Sequence, residues 1–204
     1  KVDVGANQWE LRGFSGMDTS GTKTTTSELT ELGSREVTGL GSLTSGQYRF
    51  YSWDPAAPAN GSFTQYQLTT TALEVGRGYW LKSFAAATVD VSGTAPASTY
   101  PITVKSGWNL ISNPFYFYID YDSDIRFETY PGMLLTPTSA NSLGVFSSNA
   151  LVWYDHSAGA YKWGPNSTPL GSAHVSNLQV RPWLGLWAKV TTSCTMWFYP
   201  NPRS

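Results

Sequence analysis

The sequence predicts an all-β protein, built as two homologous sandwich- or barrel-like units in tandem, each with one short helix. Two observations carry this reading. One stretch occurs twice, as Gly78-Tyr79-Trp80-Leu81-Lys82 and as Gly185-Leu186-Trp187-Ala188-Lys189. Around both copies, many short alternating segments are separated by Gly, Pro, Asn and Asp, a spacing that suits sandwiches or barrels and not βαβ units.

The repeated stretch has apolar lead-ins, Leu73-Glu74-Val75 and Leu178-Gln179-Val180. Other features keep the same order. Trp9-Glu10-Leu11 matches Trp108-Asn109-Leu110, and Tyr51-Ser52-Trp53-Asp54 matches Val152-Trp153-Tyr154-Asp155. The offset is 99 residues from Trp9 to Trp108, 101 from Asp54 to Asp155 and 107 from Trp80 to Trp187. A constant order with a slowly growing offset is the mark of tandem duplication with loop insertions. The units span residues 1–95 and 100–204, joined by a linker within 93–100 that holds Gly93, Pro96 and Ser98.

Val2-Asp3-Val4 alternates and opens a sheet, and Ile102-Thr103-Val104 takes that place in the second unit. Strands follow over 9–12 and 108–112. Thr25 with Glu28 three residues on makes a capping box, so a short helix is expected at its C-terminal side, ended by Gly33. A strand over 47–53 stops at Asp54-Pro55, good type I turn chemistry, and 63–68 returns after Asn60-Gly61. Strands over 78–83 and 88–91 complete the unit. In the second, 120–127 is expected as a helical turn, with strands over 150–154, 160–163, 186–189 and 195–199.

Alternation puts Tyr79 and Leu81 on one face of their strand and Trp80 and Lys82 on the other. Both faces carry bulk. Trp9, Trp80, Trp108 and Trp187 are therefore expected in the core, where large aromatic side chains dominate.

Ser106-Gly107-Trp108-Asn109-Leu110-Ile111-Ser112, an aromatic strand ending in Asp, and Leu73-Glu74-Val75-Gly76-Arg77-Gly78-Tyr79-Trp80 together resemble a β module of secreted multidomain bacterial proteins. Its usual pattern is Gly-Trp-Asn-Leu-Ile-Ser, Tyr-Tyr-Asp-Pro and Pro-Gly-x-Gly-Tyr-Trp-Val. The likeness covers most of both halves. The first departs at residues 8–14 and the second at 180–187. The resemblance implies an extracellular β domain and transfers no catalytic residue.

Composition agrees with that class. Charged residues make up 13% and aromatic residues 15%, the former about half the usual share of roughly 25%. Net charge is −1, so the basic footprint of a nucleic-acid binder is missing. No apolar run reaches the roughly 18 residues of a membrane-spanning helix. The single cysteine, Cys194, cannot form an internal disulfide and reads as a small buried hydrophobe. A secreted chain without disulfides points to a bacterial or archaeal source. A start at Lys1, with neither Met nor signal peptide, reads as a mature product or an excised fragment.

Asp120-x-Asp122-x-Asp124 looks like the start of a calcium loop, but Ile125 and Pro131 stand where an EF-hand needs Gly and Glu. A looser oxygen cage aided by Glu128 is the weak alternative for Ca²⁺; otherwise no cofactor is expected. His156 and His174 stand alone, without zinc-ligand spacing. There is no Gly-x-Ser-x-Gly elbow, and the acids fall mostly in turns and do not form a paired cleft. The expectation is a protein without enzymatic activity.

Aromatics near turns are the more informative set: Trp53, Trp153, Tyr161, Trp163 and Trp183. A flat ring can stack on the apolar face of a sugar while Asn60, Gln65, Asp155 or Asn166 bond its hydroxyls. The candidate ligand-binding residues are Tyr161, Trp163, Trp183, Asp155 and Trp153. Tyr161 and Trp163 share a strand face, and Trp183 is expected exposed in an insertion stiffened by Pro182. The functional expectation is a non-catalytic module, extracellular or at the cell surface, that binds a polysaccharide or another cell-surface component in adhesion. The alternative is a structural subunit or spacer of a surface or filamentous assembly, whose partners are copies of itself.

Overall fold

Antiparallel strands account for most of the residues that the computed structural model describes, which are 2–13, 23–24, 48–57, 61–65, 72–84, 86–89, 95–155, 158–165 and 179–201. The first part contributes β1 (Val2–Val4), β2 (Trp9–Gly13), β3 (Lys23–Thr24), β4 (Tyr48–Asp54), β5 (Ser62–Gln65), β6 (Ala72–Leu73), β7 (Gly78–Ser83) and β8 (Ala87–Val89). Next come β9 (Tyr100–Val104), β10 (Gly107–Ser112), β11 (Ile119–Asp120), α1 (Tyr121–Asp124), β12 (Ile125–Glu128) and β13 (Leu134–Leu135). The chain continues through α2 (Pro137–Ser142), β14 (Phe146–Asp155), β15 (Ala160–Pro165), β16 (Gln179–Val180), β17 (Gly185–Val190) and β18 (Cys194–Phe198). The fold is all-β. The expected capped helix after Thr25, both histidines, Asn60 and Asn166 lie outside the described residues.

Two four-stranded sheets share one strand order. The first runs β2-β7-β4-β5 and the second β10-β17-β14-β15. Their registers match as well. Leu11 and Tyr51 flank Trp80 in the first, and Leu110 and Val152 flank Trp187 in the second. Trp9 lies opposite Lys82, and Trp108 opposite Lys189. The flanking pairs agree too: β1 meets β8 with Val4 opposite Ala87, and β9 meets β18 with Val104 opposite Cys194.

The second part is a sandwich. A further sheet, β13-β12-β18-β9, covers the inner face of β10-β17-β14-β15. Ile111, Leu151 and Leu186 from one sheet meet Phe127, Met196 and Phe198 from the other, all essentially out of solvent. Burying each such side chain is worth about 1.5–3 kcal/mol, which makes this core the main source of stability for the second part. The helical turn expected over 120–127 stops at Asp124. Ile125 and Phe127 alternate inward, and their backbone pairs with β18, so period-two burial wins over the helix. A second helix, α2, was not anticipated, although its start is legible. Thr136 Oγ1 accepts a hydrogen bond from Ser139 N at 3.1 Å with Pro137 in the first turn, which is good capping chemistry.

The two large sheets meet through the faces that carry Trp80 and Trp187. Arg12 bridges to Leu184, and Arg77 bridges to Ile111. Gly13 N donates to the Trp183 carbonyl at 3.1 Å, and Ser112 N donates to the Gly76 carbonyl at 2.7 Å. Each contact has its counterpart with the two sheets exchanged, so an approximate two-fold axis relates them. It passes beside Gly13 and Ser112. A β-carbon on Gly13 would stand 1.9 Å from that of Ser112, so the crossing tolerates only one side chain there. Gly78 and Gly185 make the same close approach, 2.7 Å from the Ile111 carbonyl and 2.9 Å from Arg12 N for an added β-carbon.

This packing corrects the expectation of four core tryptophans. Trp9 is 38% exposed, and Trp80, Trp108 and Trp187 are only half-buried. Their opposite-face neighbours Tyr79, Leu81, Leu186 and Ala188 form the cores instead. The tryptophans line the space between the two sheets.

Candidate functional site

Four side chains of the first sheet reach the inter-sheet space on one side. Trp9, Trp80 and Tyr51 stand on neighbouring strands, and Phe63 follows on β5, opposite Trp53. The second sheet supplies Tyr154 from β14 and Tyr161, its cross-strand partner on β15. Between them opens a cleft of about 470 Å³ lined by these six aromatic residues. That lies within the roughly 300–1,000 Å³ of small-molecule sites. Ring centroids are 5.6 Å apart for Trp9–Tyr51, 6.4 Å for Trp9–Trp80, 5.8 Å for Trp80–Tyr154 and 5.2 Å for Tyr154–Tyr161. The rings hold one another edge-on or tilted, an arrangement that leaves faces open. Phe63 and Tyr161 remain 49% and 47% exposed, so a ligand can reach the lining.

Across the two-fold axis the same positions look different. Trp53 takes the place of Tyr154 and Phe63 that of Tyr161. The Trp53 indole packs edge-on against Trp187 at 5.2 Å, and its Nε1–H donates to the Trp108 carbonyl at 2.6 Å. Phe63 and Trp108 close around Trp187 at 6.1 and 6.2 Å. Gly61 makes room for this indole, since a β-carbon there would lie 2.2 Å from it. One end is open and aromatic; at the other, an indole is seated on the equivalent wall.

The described residues that line the open end carry no formal charge. Burial pushes the Tyr161 phenol above its ordinary value, and the neighbouring Tyr154 adds to this. Lys82 stands beside it, its Nζ 5.8 Å from the Trp9 ring centre and 5.2 Å from that of Phe84. Lys189 repeats the first contact over Trp108 at 5.5 Å.

Of the residues singled out in the sequence, Tyr161 lies in the cleft. Trp163 sits on the same face of β15 but opposite Val152, half-buried, and does not line it. Trp153 points to the other face and packs against the sandwich core. Asp155 is paired with Lys162 and accepts a hydrogen bond from Ala158 N. Trp183 is not in an insertion. It occupies the place of Gly76, with φ of 65° against 81° there. Left-handed backbone of this kind suits the glycine at the third position of the Glu74–Arg77 turn and is unusual for a bulky residue. Its ring lies 6.3 Å from Tyr116, so it does not join Tyr161 and Trp163 in one platform.

The acidic run is used within the fold. Buried Asp124 accepts from Asp120 N at 2.8 Å, from Ser123 Oγ at 2.8 Å and from Asn201 Nδ2 at 3.3 Å. Asp122 is exposed, its carboxyl raised by desolvation and by Asp120. Glu128 accepts from Gly132 N and Trp197 Nε1, which hold its carboxyl below the usual range. Among the described residues no three His, Cys, Asp or Glu side chains converge as a metal site. Cys194 is buried, and desolvation pushes its thiol up to about 11.

Five cleft residues were missed as a site: Trp9, Tyr51, Phe63, Trp80 and Tyr154. The signal was Lys82. A lysine sharing a strand face with Trp80 says that this face borders water. No helix among the described residues is long and apolar enough to cross a membrane. In comparisons with known proteins, no family model, no curated protein and no solved structure matches the chain.

Proposed function

We propose that the chain is a non-catalytic extracellular module that binds glycan in the aromatic cleft between its two large sheets. The observation that carries this is the 470 Å³ space walled by Trp9, Tyr51, Phe63, Trp80, Tyr154 and Tyr161. The C–H face of a pyranose is apolar and carries partial positive charge, which complements the negative face of an aromatic ring. Tyrosine hydroxyls can donate to and accept from its hydroxyls. The described lining is aromatic throughout, which suits stacking on a sugar ring. Low charge and the likeness to secreted bacterial β modules support an extracellular location.

A glycan array probed with the wild-type chain and with Trp9→Ala and Tyr161→Ala tests this. Both side chains are well exposed, so each variant should keep its melting temperature within about 2 °C while losing most of the array signal. Full signal in both variants, or none with the wild type, would remove the reading. A second reading, a structural subunit of a surface or filamentous assembly, is favoured by one feature. On the β12–β13 hairpin Tyr130, Met133 and Leu134 are exposed together. A concentration-dependent sedimentation coefficient that Tyr130→Ser abolishes would support it.

A further inference from the structure

We propose that the ligand of the cleft is an acidic glycan, one whose pyranose ring carries a carboxylate. This rests on the glycan reading and adds the charge. Lys82 and Arg49 stand directly opposite one another on β7 and β4. They lie on the face of Trp80 and Tyr51, one residue pair beyond those rings at the outer end of the aromatic floor. Both cations converge on one ring: Lys82 Nζ is 5.2 Å and the Arg49 guanidinium carbon 5.7 Å from the centre of Phe84.

A carboxylate brought to this end of the floor would meet the Lys82 ammonium in a charge-assisted hydrogen bond. Lys82 has no carboxylate within ion-pair distance among the described residues. Its contacts are the Trp9 and Phe84 faces, which orient the ammonium and leave its charge uncompensated. Trp9 also lines the cleft, so a ring stacked there brings a substituent to Lys82.

The other end of the interface supplies the control. Lys189 repeats the contact of Lys82, lying 5.5 Å over Trp108. Yet β14 breaks register opposite it, between Phe146 and Leu151, and residues 147–150 are Ser, Ser, Asn and Ala. The doubled cation and the open cleft occur at the same end. A neutral sugar uses the aromatic walls alone; a uronate or sialate uses both. Lys82 would meet the carboxylate as a point charge.

The experiment uses an array of matched pairs, each uronate oligosaccharide beside its methyl ester and each sialylated glycan beside its desialylated form. Affinities for the best pair are then measured by calorimetry at low and physiological salt. The acidic member should bind at least about tenfold more tightly, and salt should narrow the gap. Lys82→Gln should erase the gap while leaving the neutral member's affinity and the circular-dichroism melt in place. Lys189→Gln should leave the gap intact. Equal binding of both members, or a gap that survives Lys82→Gln, overturns the charge assignment and leaves the glycan reading standing. Absence of signal on every pair overturns both.

Discussion

The two ends of the inter-sheet interface are built on the same frame and finished differently. At both, a Gly-Φ-Trp-Φ-Lys strand is central, a tryptophan faces its lysine, and a hairpin supplies aromatic residues from the other sheet. At one end Trp53 lies against Trp187 and bonds the Trp108 backbone. At the other, Tyr154 stands in the place of Trp53, and a 470 Å³ cleft opens beside Trp80. The closed end shows how a flat ring with an N–H donor seats on this wall. The difference teaches that the frame is a stability device and that the identity of one hairpin residue helps set whether an end is packed or receptive.

The largest expected effect is at the axis itself. Gly13→Ser places a second side chain against Ser112 and should cost about 3 kcal/mol or more by overpacking. Combining it with Ser112→Gly moves the single permitted side chain across the axis and should recover most of the loss. A urea melt in which the double variant is no more stable than Gly13→Ser would break the two-fold relation.

Next is the contrast between the central tryptophans. Trp187 touches Trp53, Phe63 and Trp108, whereas Trp80 touches Trp9 and Tyr154 beside open space. Trp187→Ala should therefore cost about 3 kcal/mol and Trp80→Ala about 1–2 kcal/mol, with equal losses in chemical denaturation counting against the open-end assignment. Tyr154→Trp should sharpen the comparison from the other side. Filling the cleft should raise stability by about 0.5–1 kcal/mol and abolish ligand binding. A variant that binds as before would show that the ligand sits elsewhere.

The smallest effect is a pH dependence at the open end, where Tyr161 corresponds to Phe63 across the axis. Burial and Tyr154 raise the Tyr161 phenol above its ordinary value of 10.0. The folded state thus favours the neutral phenol. Its contribution is fully present below pH 10 and is lost as pH rises through the higher folded value. Tyr161→Phe should therefore flatten the fall in stability above pH 10, measured by thermal melts across the alkaline range, and an unchanged slope would exclude Tyr161 as its source.

Much of the frame was legible because strands have period two. The doubled stretch, the alternation of Tyr79 and Leu81 against Trp80 and Lys82, and the turn at Asp54-Pro55 each follow from local residue chemistry. Burial was misjudged because size was taken as the guide. Trp9, Trp80, Trp108 and Trp187 are the bulkiest residues of their strands, yet the smaller Leu186 and Ala188 are the fully buried ones. Trp183 was misplaced for a related reason. Its match with Gly76 becomes visible only through the hydrogen bonds that Gly13 and Ser112 make across the axis.

The sequence alone determined the all-β class, the two copies of the central strand and the face each side chain takes on it. The tertiary structure decided what lies over those faces. Alternation fixes direction within a strand, but a cleft exists only where two sheets distant in sequence meet. Whether a ring there is packed, as Trp53 is, or left beside open space, as Trp80 is, depends on the volume the opposite sheet brings to it.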